Sequence, residues 1–167
     1  MTSRRIFVAI AVVGLLAVGG VVGYQLGFIA GGEYEWTTIE IESADTGGEL
    51  GVVDVRIADD FAKRYTGLSD TESLDDDEGM LFIHDEPGTY SYVMRNMDFP
   101  IDIVFIDEDG YITEIHSAPV EENQDDLTSY TGEGQFILEV NEGYMADRGI
   151  TIGDRVEFDL DDRRPRR

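Results

Sequence analysis

One stretch limits the fold of this chain more than any other: Gly79–Gly110, GMLFIHDEPGTYSYVMRNMDFPIDIVFIDEDG. Three apolar runs within it, Gly79–His84, Thr89–Asn96 and Ile101–Ile106, each read as a strand. Asp85-Glu86-Pro87-Gly88, the Asp98-Phe99-Pro100 corner and Asp107-Glu108-Asp109-Gly110 separate and close them with turn chemistry. A chain built on this block makes short strands joined by tight connections.

The flanks continue the pattern. Trp36–Glu42 is a first strand, anchored by Ile39 and Ile41, and Leu50–Ala58 alternates with Val53, Val55 and Ile57 on one face. Asp59 can cap a short helix over Asp60–Thr66, which Gly67 ends; Phe61, Tyr65 and Leu68 then form one apolar stripe facing the sheet. Ser69–Glu78 is an acidic, solvated loop. Beyond the central block, Tyr111–Ala118 is a strand, Pro119–Gly134 a second acidic loop and Gln135–Val140 another strand. Asn141 can open a short helix to Arg148, Gly149 ends it, and Arg155–Leu160 is the last strand, followed by a polar tail, 161–167, expected to be disordered. Strands with two small helices and no βαβ period predict an all-β fold of sandwich or barrel type.

Before this domain lies a different kind of segment. Nothing from Ile6 to Gly32 is charged, and a helix over Ile6–Ala30, rising about 1.5 Å per residue, is long enough for a hydrocarbon core of about 30 Å. Arg4 and Arg5 precede it and Glu33 and Glu35 follow it, which places the N-terminus in the cytoplasm and the domain outside the cell membrane. Ser3-Arg4-Arg5-Ile6-Phe7 also resembles a twin-arginine export signal, yet no good small-x-small cleavage site follows, so an uncleaved single-pass anchor is expected. Gly19, Gly23 and Gly27 recur every fourth residue, a face suited to self-association of such helices. The organisation is therefore an anchor over residues 1–32, a β domain over 33–160 and the tail.

Charge decides what the domain does not bind. From Glu33 to Asp162 there are 36 acidic and 6 basic residues, a net of −30, and Lys63 is the only lysine. Nucleic acid requires basic surface and is excluded as a partner. The excess is also larger than solubility demands, and it suits molar salt, where the screening length falls to roughly 3 Å. With no cysteine, disulfides, thiolate chemistry and a lipid-modified cysteine are excluded.

The central block resembles the DUF192 family of uncharacterised prokaryotic proteins, many of them exported or anchored. The resemblance rests on Gly67-Leu68, Gly79-Met80-Leu81-Phe82, Tyr92-Val93-Met94-Arg95-Asn96, Pro100-Ile101-Asp102-Ile103 and Phe105-Ile106-Asp107-Glu108-Asp109-Gly110. Ala118-Pro119, Leu138-Glu139 and Gly149-Ile150 through Gly153-Asp154-Arg155-Val156 extend it. It implies a jelly-roll-like β-sandwich and no established activity. Three positions depart from the family pattern: Ser69 stands where methionine is usual, Thr71 where arginine is, and Val93 where tryptophan is. If those residues line a pocket in the family, the pocket here is altered.

Candidate chemistry is sparse. Met94, Arg95, Asn96 and Asp102 cluster around a Pro-containing corner and form a candidate ligand-binding group, set against the structural reading in which Asn and Asp satisfy nearby backbone. His84 and His116, the only histidines, lack metal-site spacing; Asp107 and Asp109 begin like a calcium loop without its remaining ligands; the serines lack a nucleophile elbow. No metal or cofactor is expected. The reading is an anchored extracytoplasmic domain, adapted to high salt, that binds a small ligand, envelope polymer or protein without catalysis. The alternative is a hydrolase-like enzyme on a jelly-roll scaffold. A deep pocket joining Asp102 to a histidine would favour the enzyme, a shallow aromatic groove the binding domain.

Overall fold

The computed structural model describes residues 33–165, and in it the apolar runs become strands β1 (Glu35–Glu42), β2 (Glu49–Ala58), β3 (Glu78–Tyr92), β4 (Ile101–Ile106), β5 (Ile112–Ala118), β6 (Tyr130–Asn141), β7 (Arg155–Phe158) and β8 (Arg164–Pro165). Two short helices accompany them, α1 (Phe61–Thr66) and α2 (Tyr144–Arg148). All eight strands join one sheet in the order β5-β4-β6-β3-β2-β1-β7, with β8 paired to β1. Only β2 and β3 run parallel, so the chain must cross over between them, and α1 with the acidic loop is that crossover. The two ends of the sheet approach each other: the Ile112 N–H donates to the Asp154 carbonyl at 3.0 Å and the Val156 N–H to the Gly110 carbonyl at 2.8 Å. The result is a curled, barrel-like sheet, mostly β with two short helices. The two separate facing sheets of a jelly roll are not distinguished among the described strands.

Both faces of the sheet are packed. On one face lie Ile39, Ile41, Val53, Val55, Leu81, Val104, Leu138 and Val140, closed over by Tyr144 and Met145 of α2. On the other lie Met80, Phe82, Ile101, Ile103, Phe105 and Ile137, covered by Leu68, Leu74, Met94 and Met97 from the connections. Strands buried on both sides need apolar residues at nearly every position; β4 is buried from end to end, with Asp102 its one polar residue. This is why Ile101–Ile106 reads as a continuous run rather than an alternation.

Several sequence expectations change. The Asp85–Gly88 breaker does not divide Gly79–His84 from Thr89–Asn96: β3 is one fifteen-residue strand whose pairing with β6 shifts register between Ile83 and Gly88. Pro87 lies within that shift, where the interrupted ladder asks nothing of its missing N–H. The strand also stops at Tyr92, and Asn96 adopts the left-handed conformation at φ 52° in the loop that follows. β6 begins at Tyr130, five residues earlier than expected, because Gly132 and Gly134 are strand residues here. A Cβ on Gly132 would sit 2.5 Å from the Phe105 ring, and one on Gly134 would sit 2.6 Å from the Ile106 carbonyl oxygen. Close packing, not turn formation, requires those glycines.

The helix expectation fails in its facing. Only Leu68 of the anticipated stripe is buried; Phe61 is 78% and Tyr65 61% exposed. Polar contacts hold α1 to the sheet instead: Arg64 Nη1 donates to the Ile83 carbonyl at 2.7 Å and to the Asp59 carbonyl at 2.8 Å. The expected tail disorder is likewise not what residues 161–165 show. Arg164 and Pro165 pair with Trp36 and Glu35, Arg163 reaches Asp59 at 2.7 Å, and Arg164 reaches Asp54 at 2.8 Å. A strongly acidic surface attracts the arginines that follow it. Among the described residues no helix is long and apolar enough to cross a membrane. The span expected over Ile6–Ala30, with Gly19, Gly23 and Gly27, lies outside the described residues.

Candidate functional site

A cleft of about 320 Å³ opens between α1, the middle of β3 and the loop after it. Its construction follows from strand alternation. Phe82, His84, Tyr90 and Tyr92 line the cleft from β3, and Glu139 lies at its β6 side. From the other side come Phe61, Arg64 and Tyr65 of α1, which Asp60 starts by accepting the Lys63 N–H at 2.9 Å and Gly67 stops at φ 54°. Arg95, in the loop after β3, donates to the Tyr65 carbonyl and lays its guanidinium 4.1 Å from the centre of the Tyr65 ring.

The walls are aromatic. His84 and Tyr90 stack with ring centres 3.5 Å apart, Phe82 meets Tyr92 edge-on at 5.0 Å, and Phe61 stacks on Tyr65 at 6.1 Å near the mouth. His84 Nε2 lies 3.0 Å from the Tyr92 hydroxyl. Burial, then the Arg64 charge, depresses the His84 pKa to about 4, so the imidazole is neutral at neutral pH. Burial, and secondarily the charge of an ionised Glu139, raises the Tyr92 pKa, so the phenol keeps its proton.

Glu139 is the anomaly of the domain. Four polar or charged side chains are buried among the described residues: Thr37, Asp102, Glu139 and Asp154. Thr37 donates to the Asp159 carbonyl at 3.0 Å. Asp102 accepts from the Met145 N–H at 3.1 Å, and Asp154 from Ala44, from the Thr151 N–H and from the Thr151 hydroxyl at 2.9, 2.7 and 3.1 Å. Glu139, only 6% exposed, lies among apolar and aromatic neighbours with its carboxyl lining the cleft. Burial pushes its pKa up to about 8, because the charged form loses hydration. With that pKa the carboxyl is mostly protonated at neutral pH.

The four residues singled out in the sequence separate. Met94 and Arg95 line the cleft. Asn96 is exposed at the loop tip, its N–H donating to Gln124 Oε1 at 2.8 Å. Asp102 lies on the opposite face of β4 from Ile101 and Ile103, where it holds the start of α2. Burial raises its pKa, against the stabilising N–H groups of Met145 and Gly143. The four therefore do not form one site. Sequence reasoning missed Glu139, although one charged residue inside the run Phe136-Ile137-Leu138-Glu139-Val140 was a usable signal. Of the three departures from the family pattern, Ser69 and Val93 line the cleft, while Thr71 accepts from Arg56 Nη1 at 3.0 Å. Smaller side chains stand at the cleft wall where the resemblance places larger ones. No group of three or more His, Asp or Glu residues is placed to hold a metal ion among the described residues.

Comparison with known proteins bears on this architecture. Residues 41–158 match the family model described as DUF192, Uncharacterized ACR, COG1430. A crystal structure of a proposed transcription regulator from Sinorhizobium meliloti 1021 is similar at TM-score 0.70 and 27% identity, covering 77% of this chain and 98% of that one. A crystal structure of a protein of unknown function from Novosphingobium aromaticivorans DSM 12444 is similar at TM-score 0.65 and 30% identity, covering 73% of this chain and 84% of that one. No curated protein matches the chain.

Proposed function

The chain belongs to the DUF192 family, and we propose that this member is a non-catalytic binding domain whose cleft between α1 and β3 takes a small ligand. The observation that carries this reading is Glu139, a largely buried carboxyl that lines an aromatic cleft. Taking a carboxyl largely out of water costs stability, and more so when it is charged. A cost retained at a concave, aromatic site is what a binding function asks of a fold. Catalysis is less well supported. Asp102 and His84 lie on different faces of the sheet, so the cleft does not join them.

The regulator described from Sinorhizobium meliloti does not extend to this chain as a direct reader of DNA, because a body at −30 repels phosphate. We further read residues 6–30 as an anchor that holds the domain outside the cell membrane, and the acidic surface as an adaptation to molar salt. A thermal-shift screen of small molecules at molar salt tests the cleft. Ligands that stabilise the wild type should fail on Ser69→Trp, which fills the cleft from its rim. Hits that stabilise both proteins equally would place binding elsewhere.

A further inference from the structure

Taking the cleft as the ligand site, we propose that its ligand is an organic cation, an ammonium group on a small apolar body, bound between the aromatic walls and the Glu139 carboxylate. Three independent features converge on that charge. A largely buried carboxyl, Glu139, lines the cleft, and a cation is the group that would complement its ionised form. The walls are ring faces and edges from Phe61, Tyr65, Phe82 and Tyr90, which attract cations through their π faces. One wall already does so, with the Arg95 guanidinium 4.1 Å from the centre of the Tyr65 ring. Finally, the net charge of −30 repels anionic ligands and draws cations.

The cations built into the cleft do not fill this role. Arg64 is held by the Asp59 and Ile83 carbonyls and Arg95 by the Tyr65 carbonyl, and neither offsets the burial of Glu139. The other titratable groups facing the cleft are His84, Tyr90 and Tyr92 of β3 and Tyr65 of α1. His84 and Tyr92 are neutral at pH 7, so Glu139 supplies the negative charge. A cation entering the cleft ionises that carboxyl. Binding therefore releases close to one proton at pH 7, and affinity rises with pH, by up to about tenfold per unit, until it levels near pH 8. A neutral ligand hydrogen-bonded to the protonated acid behaves oppositely, weakening above pH 8.

Choline and its neutral carbon isostere 3,3-dimethylbutan-1-ol separate these cases, titrated calorimetrically into the full-length protein at molar potassium chloride in buffers of different ionisation enthalpy. Choline should bind at least tenfold more tightly than the alcohol, with proton release and rising affinity from pH 6 to 8. Glu139→Gln should lose at least tenfold for choline and abolish both the proton release and the rise in affinity from pH 6 to 8. Phe61→Leu, at an exposed position that does not support the core, should weaken choline several-fold while melting as wild type does. Equal or tighter binding of the alcohol would overturn the cation assignment, as would absence of choline binding or indifference to Glu139→Gln. If the alcohol binds and Ser69→Trp abolishes it, the cleft stands and only the ligand class falls. If probe binding ignores Ser69→Trp, the cleft reading falls as well.

Discussion

Replacing Glu139 by glutamine should make this domain more stable, and increasingly so as pH rises from 5 to 8. In the unfolded chain this carboxyl titrates near 4.5; in the folded domain burial moves it to about 8. Between those values the folded state keeps a proton that the unfolded state has released, so stability falls with rising pH and levels above 8. At about 1.4 kcal/mol per pKa unit, the wild type loses on the order of 3 kcal/mol by pH 7 and 5 kcal/mol at pH 8 and above. Water entering the cleft makes these upper figures. Glutamine has nearly the same shape and does not titrate, so the two proteins should be similar at pH 5 and separate steadily thereafter. His84, whose folded pKa is lowered to about 4, works in the opposite sense, adding stability as pH rises through its unfolded value near 6.5. That contribution, like those of the surface carboxylates, is common to both proteins and cancels in the difference. For a domain of this size, a few °C per kcal/mol puts the separation in melting temperature on the order of 10 °C at pH 8. Parallel melting series at pH 5, 6, 7, 8 and 9 in molar salt measure it. A difference that does not change with pH, or a wild type that gains on the variant as pH rises, would refute the reasoning.

Asp102→Ala should destabilise by about 1–3 kcal/mol in urea titration, because the Met145 N–H loses its acceptor, and Asp102→Asn by about 1 kcal/mol, while ligand binding stays as in wild type. A drop in binding without a drop in stability would move Asp102 back into the site. Circular dichroism of the full-length protein should show the β signal lost between molar and millimolar salt as a net of −30 becomes unscreened; an unchanged spectrum would contradict the high-salt reading. Protease added to intact cells should remove the domain, and protection of it would contradict the outward topology.

What could be read in advance, and what could not, follows from how each element is stabilised. β2, β4 and β7 were legible because apolar burial fixes them, and burial leaves its mark in residue type. β6 was half hidden. Its first five residues, Tyr130–Gly134, carry two glycines demanded by Phe105 and Ile106, residues distant in sequence whose pressure no local pattern records. α1 misled through its composition: Phe61 and Tyr65 look like a buried stripe, yet they stand at the mouth of the cleft, and Arg64 holds the helix down. The tail looked disordered because its arginines have no local partners; those partners are Asp59, Asp54 and Glu35, more than a hundred residues away. The site shows the same division. Met94 and Arg95 could be found next to a corner, but Asp102 leaves them by the alternation of β4. Glu139 joins the cleft only once β6 is paired with β3, opposite Met80.

The central claim is that the Glu139 carboxyl lines the cleft largely removed from water, and its own titration measures this most directly. Carbon-13 labelling of glutamate carboxyls gives one resonance for Glu139, identified by its absence in Glu139→Gln, and its chemical shift can be followed from pH 3 to 10 in molar salt. The account predicts a midpoint near 8, moved down when a cation occupies the cleft. A midpoint near 4.5 would show the carboxyl to be solvated or paired, and would contradict the account.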